Sequence, residues 1–183
     1  HTIAEARQVA RVAKDTGVVT QMGIQGHSGE GIRRICEWIW DGAIGPVREV
    51  HAWTNRPGWP QGIQRPADTP AIPDTLNWDL WLGPSPERPY HPAYVPGNWR
   101  GWVDFGTGAL GDMGCHILDP IVWALKLDYP LSIQGSIVND LQNNYSRCDE
   151  TYPKASVIHY DFPARGDMPP VSIHWYDGGL MPK

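Results

Sequence analysis

Three strand-like runs at residues 131–138, 155–162 and 170–176 follow a helical run, residues 108–127, with no further helix between them. Consecutive strands with no helix to cross over must pair mainly antiparallel, so this order restricts the C-terminal half to an α+β arrangement on a largely antiparallel sheet. The helical run carries its own punctuation. Pro120 cannot donate to the carbonyl of His116, which predicts a kink there or a restart with Asp119 as cap.

The N-terminal part has a different rhythm. Thr2 can cap a helix reaching about Lys14, with Glu5 three residues later to close a capping box and Gly17 to end it. Residues 18–24 have few charges and read as a strand buried on both faces of a parallel sheet, which would complete a helix-strand pair. Ser28 can cap a second helix to about Asp41, striped by Ile32, Ile35, Cys36 and Ile39. Residues 47–54 then alternate as a strand. Between 55 and 104 lies a Pro- and Gly-rich stretch too long for an ordinary connection, and loops of that length usually carry function or grip a partner.

Composition excludes several classes. The 183 residues suffice for one core, the net charge is -5, and the 15 Lys and Arg are scattered, so neither a nucleic-acid backbone nor a membrane is an expected partner. Three cysteines without C-x-x-C spacing indicate neither a disulfide framework nor a zinc finger. Ten Trp among 18 Pro and 20 Gly suit loops that line a carbohydrate site, and they suit core packing equally. The chain opens on His1 and enters a helical pattern at once, which leads us to expect that sequence upstream is missing.

Asp112, Cys115, His116 and Asp119 stand at i, i+3, i+4 and i+7 and share one helix face. A histidine with a carboxylate one turn away can exchange a proton near neutral pH. The same spacing also suits an acid at a helix N-terminus beside a satisfied core histidine, or mixed metal ligands. Gly106, Gly108 and Gly111 match G-x-G-x-x-G, but the preceding residues are too short and polar for the strand of a dinucleotide-binding βαβ unit, so they read as a tight turn into the helix. His27 follows residues 18–24 at what would be a strand's carboxyl end, as a ligand contact or a solvated loop residue. Trp53, Tyr90, His91, Trp99 and Arg100 stand in or beside the long loop and suit sugar rings, phosphate or carboxylate, with packing as the alternative. His1 could chelate copper as a mature N-terminus.

The segment from Asn98 to Asp119, Asn-Trp-Arg-Gly-Trp-Val-Asp-Phe-Gly-Thr-Gly-Ala-Leu-Gly-Asp-Met-Gly-Cys-His-Ile-Leu-Asp, resembles the signature helix of the glucose-fructose oxidoreductase / inositol dehydrogenase (Gfo/Idh/MocA) family. Residues 1–7, 41–50, 162–170 and 175–179 are similar to further family segments, notably those of environmental bacterial members. The resemblance implies an α+β (α/β) chain: residues 1–26 as the last helix and strand of an incomplete Rossmann domain, and 27–183 as the substrate domain, an open, mostly antiparallel sheet covered by helices and incomplete at its C-terminus. It implies an NAD(P)-dependent oxidoreductase of a sugar, polyol or glycoside, with Asp112 and His116 as the acid-base pair and His116 the proton acceptor from the sugar hydroxyl. Gln25, His27, Trp99 and Arg100 would lie near cofactor, and Trp53, Tyr90 and His91 near substrate. The family's catalytic lysine and glycine fingerprint have no counterpart here, so this stretch alone is expected to bind no NAD or NADP and to lack dehydrogenase activity. The family also includes NAD-dependent glycosidases, and a carbohydrate-binding, oligomerising or metal-binding domain is a third reading. The open sheet face implies a homo-oligomer. Location in the cytoplasm, or in the periplasm given an upstream export signal, stays open.

Overall fold

A computed structural model describes residues 2–138 and 148–183. Its elements are α1 (Ile3–Thr16), α2 (Glu30–Trp40), β1 (Glu49–Trp53), α3 (Trp78–Leu82), α4 (Gly108–Ile117), α5 (Asp119–Ala124), β2 (Ser132–Val138), β3 (Ala155–Phe162) and β4 (Val171–Tyr176), with a 3-10 turn at Asn98–Gly101. The four strands form one sheet in the order β1-β4-β3-β2. β2–β3 and β3–β4 are antiparallel, and β1–β4 is parallel. The expected open, mostly antiparallel sheet is therefore present.

One sheet face is apolar. Val171 and Ile173 of β4 and Phe162 of β3 meet Leu125, with Ile39 of α2 and Ile121 of α5 packed around them. Helix α2 lies on α5, and the Trp40 indole N–H donates to the Ala124 carbonyl at 2.8 Å. Pro120 occupies the first turn of α5, where its missing N–H costs nothing. The helical run is thus broken where the sequence indicated, with Leu118 rather than Asp119 at the cap position. The other sheet face is polar and uncovered by any described helix.

The long stretch 55–104 is not irregular throughout. It contains α3, capped by the Asn77 side chain accepting from the Leu80 N–H, and a second core of Trp78, Leu82, Tyr90, Tyr94 and Trp102. This core is fastened to residues 148–154. The Thr151 hydroxyl donates to the Ile63 carbonyl at 2.7 Å and accepts from the Ile63 N–H at 2.9 Å. Arg65 grips Glu150 with two nitrogens, and buried Arg88 pairs with Asp104. Several of the tryptophans that suited a carbohydrate site are spent on packing: Trp78, Trp102 and Trp175 are all buried.

Two local expectations are corrected. Residues 18–24 form no strand, because among the described residues no strand lies beside them; Val19 is 99% exposed. The cap of α2 is Gly29, not Ser28, and no side chain bonds the helix start. Helix α1 does form with the Thr2–Glu5 capping box and a left-handed Gly17, yet none of its residues is buried.

Candidate functional site

Helix α4 starts on glycines for steric reasons. Gly108 has φ +65°, and a Cβ there would stand 2.6 Å from the Tyr152 ring. A Cβ on Gly106 would meet the Arg100 backbone at 2.5 Å, and one on Gly111 would meet the Thr107 side chain at 2.2 Å. All three glycines face their own chain, so they bring the 3-10 turn against the start of α4 and leave no open cradle for a phosphate.

That close approach builds a cavity of about 600 Å³. Asp112, Cys115 and His116 line it from α4, Trp99 and Arg100 from the 3-10 turn, and residues 21–25 from the segment after α1. Arg100 Nε donates to Asp112 Oδ1 at 3.0 Å, and its Nη1 donates to the Gly97 carbonyl at 3.2 Å. Its guanidinium carbon lies 4.5 Å from the centre of the Trp99 ring, which fixes the plane of the cation. Asp112 is therefore partnered by Arg100, and no hydrogen bond joins it to His116 among the described residues. The His116 ring stands at the cavity with no protein partner of its own among those residues.

The other expected site residues are placed as follows. Gln25 lines the cavity with His116, whereas His27 turns away, its Nδ1 2.8 Å from Asp119 Oδ2 and its ring stacked on Trp123 at 4.8 Å. Asp119, at the start of α5, rather than Asp112, is thus paired with a histidine, across 92 positions that no local spacing could reveal. Tyr90 is a core residue, 8% exposed and edge-on to Trp78, and has no surface to offer a sugar. His91 Nδ1 accepts from the Ala93 N–H, and its Nε2 lies 3.3 Å from Asp68. Trp53 lines a separate hollow with Asn55 and Leu180. These three are apart from the α4 cavity.

Among the described residues no group of three or more His, Cys, Asp and Glu is arranged to hold a metal, and His1 lies outside them. Burial pushes the Cys36 thiol up, which makes it a poor nucleophile. Cys115 is exposed, with its sulfur 3.4 Å from the Asp112 carbonyl.

Residues 51–159 match the family model described as the oxidoreductase family, C-terminal alpha/beta domain, of the Gfo/Idh/MocA group. This match spans more than half of the 183 residues. The chain belongs to the Gfo/Idh/MocA oxidoreductase family. Among solved structures, the Gfo/Idh/MocA chain is similar to a super-repressor mutant of Gal80p from Saccharomyces cerevisiae, at 17% identity and a TM-score of 0.57. That likeness covers 98% of this chain and 40% of the other, so this chain spans less than half of its length. No curated protein matches. Members of the family typically take NAD(P). The glycines at 106, 108 and 111 are filled by Arg100, Thr107 and Tyr152 and do not fit a pyrophosphate.

Proposed function

We propose that the protein serves the NAD(P)-dependent oxidation and reduction of a sugar, polyol or glycoside, with His116 as the proton acceptor for the substrate hydroxyl. The observation that supports this reading is the convergence of His116, Asp112, Arg100, Trp99 and Gln25 on one cavity. The cofactor supplies the hydride acceptor. This chain supplies the base and the frame around it. An alcohol losing hydride must lose its hydroxyl proton, and the imidazole of His116, which has no partner among the described residues, can take it at a hydrogen-bond distance. Asp112 and Arg100 act as one unit: the guanidinium neutralises the carboxylate, while its Nη2 remains directed to neither Asp112 nor Gly97 and is available to a substrate oxygen. Trp99 offers a flat face to a sugar ring.

The rest of the nicotinamide site lies outside these residues in this proposal. Residues 1–183 alone should therefore give no NADH or NADPH from any sugar or polyol, and measurable turnover by the purified 183-residue chain would contradict it. In the full-length protein, His116→Ala should lower kcat by about 10²- to 10⁴-fold with a small change in KM. Net hydrolysis of a chromogenic glycoside without NADH accumulation would instead select the oxidation-elimination route of NAD-dependent glycosidases.

A second reading is ligand binding without turnover. Two observations favour it: the bond that engages Asp112 with Arg100 rather than His116, and the likeness in fold to a repressor mutant. Under it, the full-length protein binds sugar with equal affinity before and after His116→Ala and never reduces NAD(P). Association of copies through the open sheet face belongs to the same family-based proposal, and a solution mass of a single chain would set it aside.

A further inference from the structure

On the open sheet face three histidines stand side by side. Strand pairing sets His51 of β1 opposite His174 of β4, and His174 opposite His159 of β3. The His51 and His174 rings stack with centres 5.0 Å apart, and those of His174 and His159 meet edge to face at 4.7 Å. Glu49 Oε1 lies 3.0 Å from His51 Nε2 and 3.2 Å from His174 Nε2. His51 Nδ1 lies 3.1 Å from the Tyr176 hydroxyl, and the Nδ1 atoms of His174 and His159 bond each other.

Two ring nitrogens that bond each other share one hydrogen, so the His159–His174 contact holds a single proton between the two Nδ1 atoms. The His174 ring lies between the His159 and His51 rings, and a charge on it would stand within 5.0 Å of both ring centres.

We propose that His51, His174 and His159 form a proton-operated device in the open face, in which acidification places a charge on His174 between the rings of the two adjacent strands and loosens the pairing of β4 with its neighbours. The facing charged groups are Glu49 on β1 and Asp161 on β3. Tyr176 faces the row from β4, and β2 contributes neutral Ser132 and Gln134. Asp161 accepts from Ser132 and Ser172, each at 2.7 Å, and those bonds hold its carboxyl below the usual range, so it remains ionised through the histidine transition. Burial lowers the His174 pKa below its ordinary 6.5, and His159 and His51 add to the effect. A depressed imidazole takes up its proton more readily in the unfolded chain, so stability is full above about pH 6.5 and falls as pH drops through that value.

The test is the urea midpoint between about pH 8 and pH 5 for the wild-type protein and for His174→Gln, which keeps amide hydrogen bonding without titrating. The wild-type midpoint should fall across this window, and His174→Gln should lose roughly half of that fall or more. In parallel, histidine ring NMR of the wild-type protein, which does not depend on the variant folding, should show His174 titrating below 6.5. Superimposable pH slopes for the two proteins, or His174 titrating at or above 6.5, would overturn the proposal.

Discussion

Asp177 carries a buried charge that the fold uses without exposing it. At 3% exposure, its carboxylate accepts from the Ser156 N–H at 2.6 Å, the Ser156 hydroxyl at 2.7 Å and the Trp175 indole at 2.9 Å. Removing it strands three buried donors, so Asp177→Ala should cost about 3 kcal/mol, read as a lower urea midpoint at unchanged slope. Its neighbour Gly178 has φ +68°, and a Cβ there would stand 2.3 Å from the Ala155 Cβ. Gly178→Ala should therefore also destabilise the β3–β4 end. The sequence marks 175–179 only as a family-like segment. Its physical reason lies 21 positions away at Ser156, beyond the reach of local pattern. His116 and Asp112 were legible as a helical face because i and i+4 is a local relation. That Asp112 would turn to Arg100 was not, since the two are brought together by glycine packing at 106 and 111.

Several helix and strand boundaries were legible from local signals, although the caps expected at Ser28 and Asp119 fall one residue off. The capping box at Thr2, the break at Pro120 and the strands β2, β3 and β4 all lie where the side-chain pattern sets them. Residues 18–24 show the opposite case, because an apolar run becomes a strand only beside a partner. With Val19 and Met22 at 99% and 75% exposure, Val19→Asp should change the stability of this chain by no more than about 0.5 kcal/mol. A larger loss on thermal melting would show that the segment packs. The segment 55–104 was read as a long loop, and it acquires α3 and a core because Thr151 and Glu150 bind it from afar. Thr151→Val removes both bonds to Ile63 at nearly constant volume, and should cost about 1–3 kcal/mol and open residues 55–104 to protease before the sheet.

The whole molecule places its apolar core on one side of a four-stranded sheet and its titratable histidines on the other, with the cavity beyond the edge where α4 meets the 3-10 turn. Stability and proposed chemistry are thus spatially separate. Substitutions at the cavity should leave the melting temperature nearly unchanged, while those at Asp177 or Thr151 should lower it. The central claim is that His116 removes the hydroxyl proton of a sugar or polyol. Its most direct measurement is steady-state NAD(P) reduction over a sugar and polyol panel by the full-length protein and its His116→Ala form. The account predicts a fall in kcat of about 10²-fold or more with an unaltered melting temperature. A variant turning over within about twofold of the wild-type rate would contradict it.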